Sequence, residues 1–260
     1  MKVTSYLIFL LFILLHFQSI AQVQKEFYEN PKYIIDNGII EIESKHMGYV
    51  NRESTDSNHI SNQSFFKFDK SGNLIEKVFS DSYSKKKNFH NITTYSYKDS
   101  LKYEENSKLY GGIEIRKYSY NVNGEIIKKN VGITNYNTGD TVFTFTNFLY
   151  KKLTDKTILK SITGSDTLMT EIEYKNNGRV YSVKKINKDA TYFLHTYEYE
   201  NNNLIKETVS GDDMFLLMLG GSYYEIYDYS KKGLVRSITR YQNNKPTTIT
   251  YYTYKRNQNN

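Results

Sequence analysis

Pairs of aromatic or large apolar residues separated by one position recur along most of this chain. This repeat constrains the fold more than any other feature of the sequence. Eight pairs begin 23 to 30 residues apart, at Phe66, Tyr95, Tyr118, Phe148, Ile172, Tyr197, Tyr227 and Tyr252. Residues i and i+2 of a β-strand point to the same face, so each pair places two side chains next to each other on a sheet. The near-constant spacing indicates a structural repeat.

A turn follows most of these pairs. It ends in Gly in four units, at Gly72, Gly124, Gly178 and Gly233, and the segment Asn201-Asn202-Asn203 takes its place in a fifth unit. Gly and Asn are the residues that best accept left-handed backbone. An apolar strand then begins, as at Leu74 or Leu234. Each unit therefore has room for two strands and two connections.

Successive hairpins of this kind predict an all-β fold. We expect an antiparallel meander of repeated β-hairpins that forms a curled or open single sheet of about fifteen strands. The composition favours strands, because the chain has 26 Tyr and 14 Phe but only 2 Pro, and Pro interrupts β-ladders. No sustained 3.6-residue apolar stripe indicates a long helix.

The first 21 residues differ from the rest and predict a secretory signal peptide. Lys2 precedes an apolar run, and Ser19-Ile20-Ala21 has the small-x-small form of a signal-peptidase site. The run is shorter than the roughly 20 residues that a membrane span needs, which disfavours a retained N-terminal anchor. We predict cleavage after Ala21 and a secreted or periplasmic protein, with outer-membrane association as a further option. The absence of Cys excludes a lipoprotein and disulfides.

The remaining chain divides into three predicted parts. Residues 22–62 form an N-terminal lead-in, with a first hairpin across Asp36-Asn37-Gly38 and with strand ends plus a long loop in the polar segment 45–62. Residues 63–256 form the β-hairpin repeat domain, and residues 257–260 form a disordered tail.

Two units carry a family resemblance. Tyr227-Asp228-Tyr229 with Gly233-Leu234, and Phe66-Lys67-Phe68-Asp69 with Gly72-Asn73-Leu74, resemble the YD (RHS-type) repeat family. The resemblance covers roughly residues 64–255 and implies β-hairpin repeats. Long family members spiral into a shell around a toxin domain, but this chain is too short for such a shell and has no toxin domain. It looks like a short secreted member of the Bacteroidetes type.

The sequence offers no catalytic constellation. The His residues outside the signal, His46, His59, His90 and His195, have neither HxH nor HExxH spacing, and there is no G-x-S-x-G elbow or P-loop. Carboxylate pairs such as Glu104-Glu105 are expected by chance when 24% of the residues are charged. We therefore predict that the protein is not an enzyme and has no catalytic residues, cofactor or metal site.

The exposed faces suggest binding instead. Rows of Tyr on a rigid sheet offer contact area for proteins or glycans, although the rings can equally serve only to stabilise the sheet. One apolar run, Asp212–Gly221, departs from the repeat and predicts either a buried strand or short plug helix, or a partner-facing loop. The candidate binding residues are Tyr118, Tyr120, Tyr197, Tyr199, Tyr227, Tyr229, Phe215 and Leu216.

The functional expectation is a secreted or cell-envelope, non-catalytic binding or structural scaffold. Its partner would be an unknown protein or glycan of the envelope. Nucleic acid is disfavoured because the basic charges are interleaved with acidic ones, and we expect no stable membrane span after signal removal. The alternatives are a carbohydrate-active envelope protein and an outer-membrane β-barrel. A barrel would require strands of about 9–11 residues with an aliphatic lipid-facing set, whereas the alternating positions are Tyr, Thr, Lys and Asn and the chain ends in a polar segment.

Overall fold

A computed structural model describes residues 27–50, 54–81, 90–109, 111–175 and 178–257. This part of the chain contains a 3₁₀ helix at Phe27–Glu29, two short α-helices, α1 (Pro31–Asp36) and α2 (Met214–Met218), and sixteen strands. The strands are β1 (Ile39–Val50), β2 (Ser54–Phe68), β3 (Leu74–Asp81), β4 (His90–Lys98), β5 (Leu101–Leu109), β6 (Gly112–Tyr120), β7 (Ile126–Asn135), β8 (Thr141–Lys152), β9 (Lys156–Thr163), β10 (Asp166–Tyr174), β11 (Val180–Ile186), β12 (Tyr192–Glu200), β13 (Asn203–Gly211), β14 (Tyr223–Tyr229), β15 (Val235–Gln242) and β16 (Lys245–Arg256).

The sheet closes into a barrel. Every strand pairs antiparallel with its neighbours in the chain, and β1 also pairs with β16, with Ile42 opposite Tyr254. The prediction of an antiparallel all-β meander is confirmed, but the prediction of a curled or open single sheet is wrong. The polar segment at the end of the sequence begins within a strand, because β16 continues to Arg256, whereas residues 258–260 of the predicted disordered tail lie outside the described residues. Closure pairs the two edges that an open meander would leave bare.

The sequence repeat corresponds to the barrel's hairpins. Each of the eight aromatic pairs lies at the end of an even-numbered strand, so eight units of two strands account for all sixteen. A β-bulge occurs at the second residue of six pairs, namely Phe68, Tyr97, Tyr120, Tyr174, Tyr199 and Tyr229. Tight turns follow these bulges, and Gly72 has the predicted positive φ of 73°. We call this end of the barrel, where β1 also begins and β16 ends, the turn end, and the opposite end the loop end.

The N-terminal lead-in differs from the prediction. Residues 33–36 belong to α1, which begins with Pro31 and is capped by the Asn30 side chain, so the hairpin predicted across Asp36-Asn37-Gly38 does not form. A Pro at the first helical position and an Asn cap favour a helix start, and these signals prevail over the Asn-Gly turn signal. In the polar segment predicted as strand ends plus a long loop, the described residues 45–50 and 54–62 are strand, with His46 opposite Asn62. The predicted signal peptide lies outside the described residues.

The barrel wall has two distinct faces. On β8, Thr146 and Phe148 point inward and are buried, whereas Phe143, Phe145 and Leu149 point outward and are 51–65% exposed. The same alternation continues around the barrel through the pairing register, because residues opposite each other share a face. The inward face therefore encloses a lumen, and the lumen contains the candidate site.

Candidate functional site

The six Tyr residues proposed from sequence all lie in the lumen wall near the turn end. They belong to β6, β12 and β14, at Tyr118, Tyr120, Tyr197, Tyr199, Tyr227 and Tyr229. Tyr197 is only 1% exposed and packs with Ile172 and Val183, and the other five are half-buried. The rings thus line the inside of the barrel, and do not form an external row.

In five of the eight pairs, the second residue is a Tyr whose hydroxyl bonds to a backbone carbonyl. Tyr97, Tyr229 and Tyr254 donate their hydroxyl hydrogens to the carbonyls of Leu74, Leu204 and Val235, at 2.9, 2.8 and 2.6 Å. Tyr120 and Tyr150 make equivalent bonds to the carbonyls of Lys102 and Ile126. Each bond crosses to the start of the preceding odd-numbered strand, beside the bulge or turn, where the regular ladder is interrupted. The repeat therefore has a structural role, and ligand binding by these rings stays a prediction.

The lumen is occupied at the turn end by residues 27–36, which we call the plug. Ile34 is 1% exposed and packs in a cluster with Ile42 and Phe66, and the Phe27 ring lies 5.0 Å from that of Tyr252. Tyr33 accepts a hydrogen bond from the Val235 amide, and burial raises the pKa of its hydroxyl. These contacts reach β1 and β2 on one side of the β1–β16 ladder and β15 and β16 on the other. The plug therefore fills the lumen beside these four strands.

A ring of polar side chains lies one step further from the turn end. The residue two positions before each aromatic pair points inward and is polar in all eight units, and we call this set the polar ring. Its members are Ser64, Thr93, Arg116, Thr146, Thr170, His195, Glu225 and Thr250. Inspection of the sequence for catalytic motifs misses this ring, although the spacing from each aromatic pair provides a signal for it.

One charged cluster of the lumen is built on β5 and β6. Arg116 contacts Glu105 at 2.9 Å and Glu114 at 2.5 Å, and Lys102 contacts Glu105 at 2.6 Å. Glu105 and Arg116, which are 11 positions apart in the sequence, are opposite each other in the ladder between β5 and β6. Glu105, which the sequence analysis attributed to chance pairing, is therefore a buried and fully engaged carboxylate.

A second charged cluster is built on β12 to β15. Arg240 donates to one Glu225 oxygen from both Nε and Nη2, at 2.9 and 2.7 Å, and lies 4.1 Å from the centroid of the Tyr223 ring. Nδ1 of His195 lies 2.7 Å from Glu207. The lumen therefore contains two clusters on separate parts of its wall, and each cluster combines acidic and basic side chains. Within the described ranges, no group of three His, Asp or Glu side chains has an arrangement that would hold a metal ion.

The non-repetitive run at the loop end forms α2. Asp213 caps the helix by accepting a hydrogen bond from the Phe215 amide at 2.8 Å, and Asn187 donates to the same carboxylate. Gln242 donates to the Leu219 carbonyl. The run is therefore a short helix, one of the predicted forms, and not a buried strand; within it Leu216 is fully buried and Phe215 is half-buried. Met214, Leu217, Met218 and Leu219 remain exposed.

In the part of the chain that the structure describes, no helix has the length and apolar character needed to cross a membrane. Comparisons with known proteins complete this description. No family model matches the sequence, and no curated protein is similar to it. A porin-like protein from Bacteroides uniformis ATCC 8492 is 16% identical, with 84% of this chain and 97% of that chain covered and a TM-score of 0.40. A porin-like protein from Bacteroides vulgatus ATCC 8482 is 9% identical, with 85% and 99% covered and a TM-score of 0.47.

Proposed function

We propose that the chain is an outer-membrane-type β-barrel of the cell envelope whose lumen admits small polar solutes. The closed sheet of sixteen strands carries this proposal. Side chains fill the interior of a barrel of about eight strands, whereas a wider barrel leaves room for water. A closed sheet also has no unpaired edge, which is the condition that a hydrocarbon environment imposes on strands.

The outer face supports a lipid environment. Its outward positions on β8 carry Phe143, Phe145 and Leu149. Apolar side chains also occupy outward positions on other strands, at Phe65, Val78, Ile92, Ile115, Ile158, Met169, Leu194 and Ile226. Apolar residues outside and polar residues inside are the arrangement of barrels that cross a bilayer.

Four ion pairs of the outer face lie near the turn end. Lys67 pairs with Glu76 at 2.8 Å and Arg236 pairs with Asp228 at 2.6 Å, each beside a bulge. Lys206–Glu198 and Lys255–Glu41 pairs lie at equivalent positions. Charged side chains are costly on the lipid face of a barrel and are tolerated near the interface with water, so we place the boundary between lipid and water at this level.

Cell fractionation tests the location. We expect the mature protein in the outer membrane, extracted only by detergent, because its apolar outer face needs a lipid or detergent cover. A binding scaffold would instead remain soluble without detergent. Recovery of a soluble monomer that does not enter lipid vesicles would contradict the barrel proposal.

Conductance across planar lipid bilayers tests the pore. The wild-type protein should give a small conductance, because the plug fills part of the lumen. Ile34→Asp buries a charge in the plug cluster and should release the plug and raise the conductance several-fold, whereas Ile35→Asp changes a side chain that is 52% exposed and should leave it unchanged. Equal conductance of the two variants would show that the plug does not obstruct the pore.

A further inference from the structure

The wall of the lumen on β3 to β6 contains a cavity of about 240 Å³. This volume is below the roughly 300–1,000 Å³ of pockets that take drug-sized ligands, so the cavity suits a molecule of monosaccharide size. Its floor follows the ladder across four strands, where Lys77, Thr93, Ser107 and Glu114 are successive partners. The cavity lies at the level of the polar ring, on the path that a solute would take through the barrel.

Two polar groups of this cavity have unused bonding capacity. The Lys77 ammonium lies over the Phe66 ring at 5.4 Å, and it forms no ion pair with any carboxylate of residues 27–50, 54–81, 90–109, 111–175 and 178–257. Oδ1 of Asn91 is buried and has no hydrogen-bond donor in that same part of the chain. A buried acceptor without a donor is costly, and a ligand hydroxyl that donates to Asn91 removes that cost. Lys77 is only half-buried, so its ammonium remains available to form an ion pair with an anionic ligand.

The other polar groups are already engaged. The hydroxyls of Thr93 and Ser107 bond to each other at 2.9 Å, and Arg116 is held by Glu105 and Glu114. Arg116 should therefore attract an anionic ligand less strongly than Lys77 does. The remaining wall includes the Phe79 and Tyr95 rings, which offer flat apolar faces.

We propose that this cavity binds a small hydroxylated carboxylate, of the sugar-acid class, during its passage through the lumen. The carboxylate pairs with Lys77, a ligand hydroxyl donates to Asn91 Oδ1, and the C–H faces of the ring lie on the aromatic wall. This inference rests on the proposed function and names the class of solute that the pore would select. The ligand must carry both a negative charge, which pairs with the Lys77 ammonium, and a hydroxyl, which donates to Asn91 Oδ1.

Isothermal titration calorimetry with the full-length protein in detergent tests the site, with glucuronate, glucose and propionate as probes. Glucuronate should bind at least tenfold more tightly than glucose, which lacks the charge, and than propionate, which lacks the hydroxyls. Lys77→Met and Asn91→Leu should each weaken glucuronate binding at least tenfold. Lys77→Arg, which keeps the charge, should retain most of the affinity. Lys160→Met, on the exposed outer face of β9, is the matched control and should bind as wild type.

The outcomes separate this inference from the proposed function. Equal affinities for the three probes, no glucuronate binding at millimolar concentration, or wild-type binding by a Lys77→Met variant whose circular dichroism is unchanged would each overturn the site. If the same preparation conducts in planar bilayers, the pore stands without this selectivity. If glucuronate binds as expected but the protein neither inserts nor conducts, the cavity stands and the pore proposal fails.

Discussion

The two ends of the barrel are built by different means. At the turn end the sequence repeats, every unit supplies inward rings, and the plug packs on them. At the loop end the connections differ from one hairpin to the next, and α2 is held by the burial of Leu216 and by side-chain hydrogen bonds from Asn187 and Gln242. An extended packed cluster thus stabilises the turn end, whereas one buried Leu and a few polar contacts stabilise α2 at the loop end. The difference predicts a stable turn end and a loop end that tolerates change, as is common for segments with few buried contacts.

The largest effect should come from the packed turn end. Tyr197→Ala removes a ring that is 1% exposed and leaves a cavity beside Ile172 and Val183. We expect the free energy of unfolding to fall by about 3–5 kcal/mol, as for other large buried rings. Urea unfolding of the detergent-folded protein measures this. Tyr251→Ala, on the outer face and 42% exposed, is the control and should cost far less. Similar losses at both positions would contradict a packed lumen at this end.

An intermediate effect should report on the plug. Gly72 and Gly233 have nearly the same φ, 73° and 75°, and close equivalent turns. Ala at either position costs about 1–2 kcal/mol for left-handed backbone. A Cβ on Gly72 would also lie 2.5 Å from the Pro31 carbonyl oxygen, whereas a Cβ on Gly233 would contact nothing within 4 Å. Gly72→Ala should therefore destabilise by roughly 1–3 kcal/mol more than Gly233→Ala in the same unfolding experiment. Equal losses would mean that the plug does not rest on this turn.

A smaller effect is expected at the loop end. Asp213→Ala removes the N-cap of α2 and the bond from Asn187, and should cost about 0.5–2 kcal/mol. The loss should remain local, because α2 belongs to no repeat unit. Hydrogen exchange should accelerate in α2 and stay unchanged in β12 and β14. Asp189→Ala, whose carboxylate bonds only within its own turn to Thr191, should leave α2 protected. Accelerated exchange throughout the barrel would show that α2 contributes to global stability.

The smallest effect should come from the exposed side of α2. Met218 is 66% exposed, so Met218→Ser should change the unfolding free energy by less than about 0.5 kcal/mol. Thermal unfolding followed by circular dichroism is sufficient to measure this. A loss of several kcal/mol would mean that another surface covers this side of the helix.

The hairpins were predictable because the information is local. The spacing of the aromatic pairs and the turn glycines specify each unit, and these units are the hairpins of the barrel. Closure was not predictable in this way, since the same hairpins fit an open sheet or a ring. It depends on β1, whose inward Ile42 and Ser44 lack the aromatic repeat and pair with Tyr254 and Tyr252. The sequence contains no local sign of that partnership.

The lumen could have been predicted only in part. Once the aromatic pairs are assigned to the inner face, the residue two positions earlier must share that face, so the polar ring follows from the spacing. The ion pairs do not follow, because Glu105 meets Arg116 only through the register of β5 on β6. Tyr120 and Tyr229 were proposed from the sequence as binding residues. Their hydroxyls instead bond to backbone carbonyls near the turn end, which the sequence analysis did not predict.

The β1–β16 ladder has a consequence for how the chain folds. It joins residues such as Glu41 and Lys255, which are 214 positions apart, whereas each of the other ladders joins two strands that are consecutive in the chain. Long-range pairing is slow, because the entropy of closing the loop is lost before the contacts form. Until β16 arrives, the folding intermediate has two bare edges that can pair with other copies of the chain. Refolding yield should therefore fall as protein concentration rises, and a chaperone that covers a strand edge should restore it.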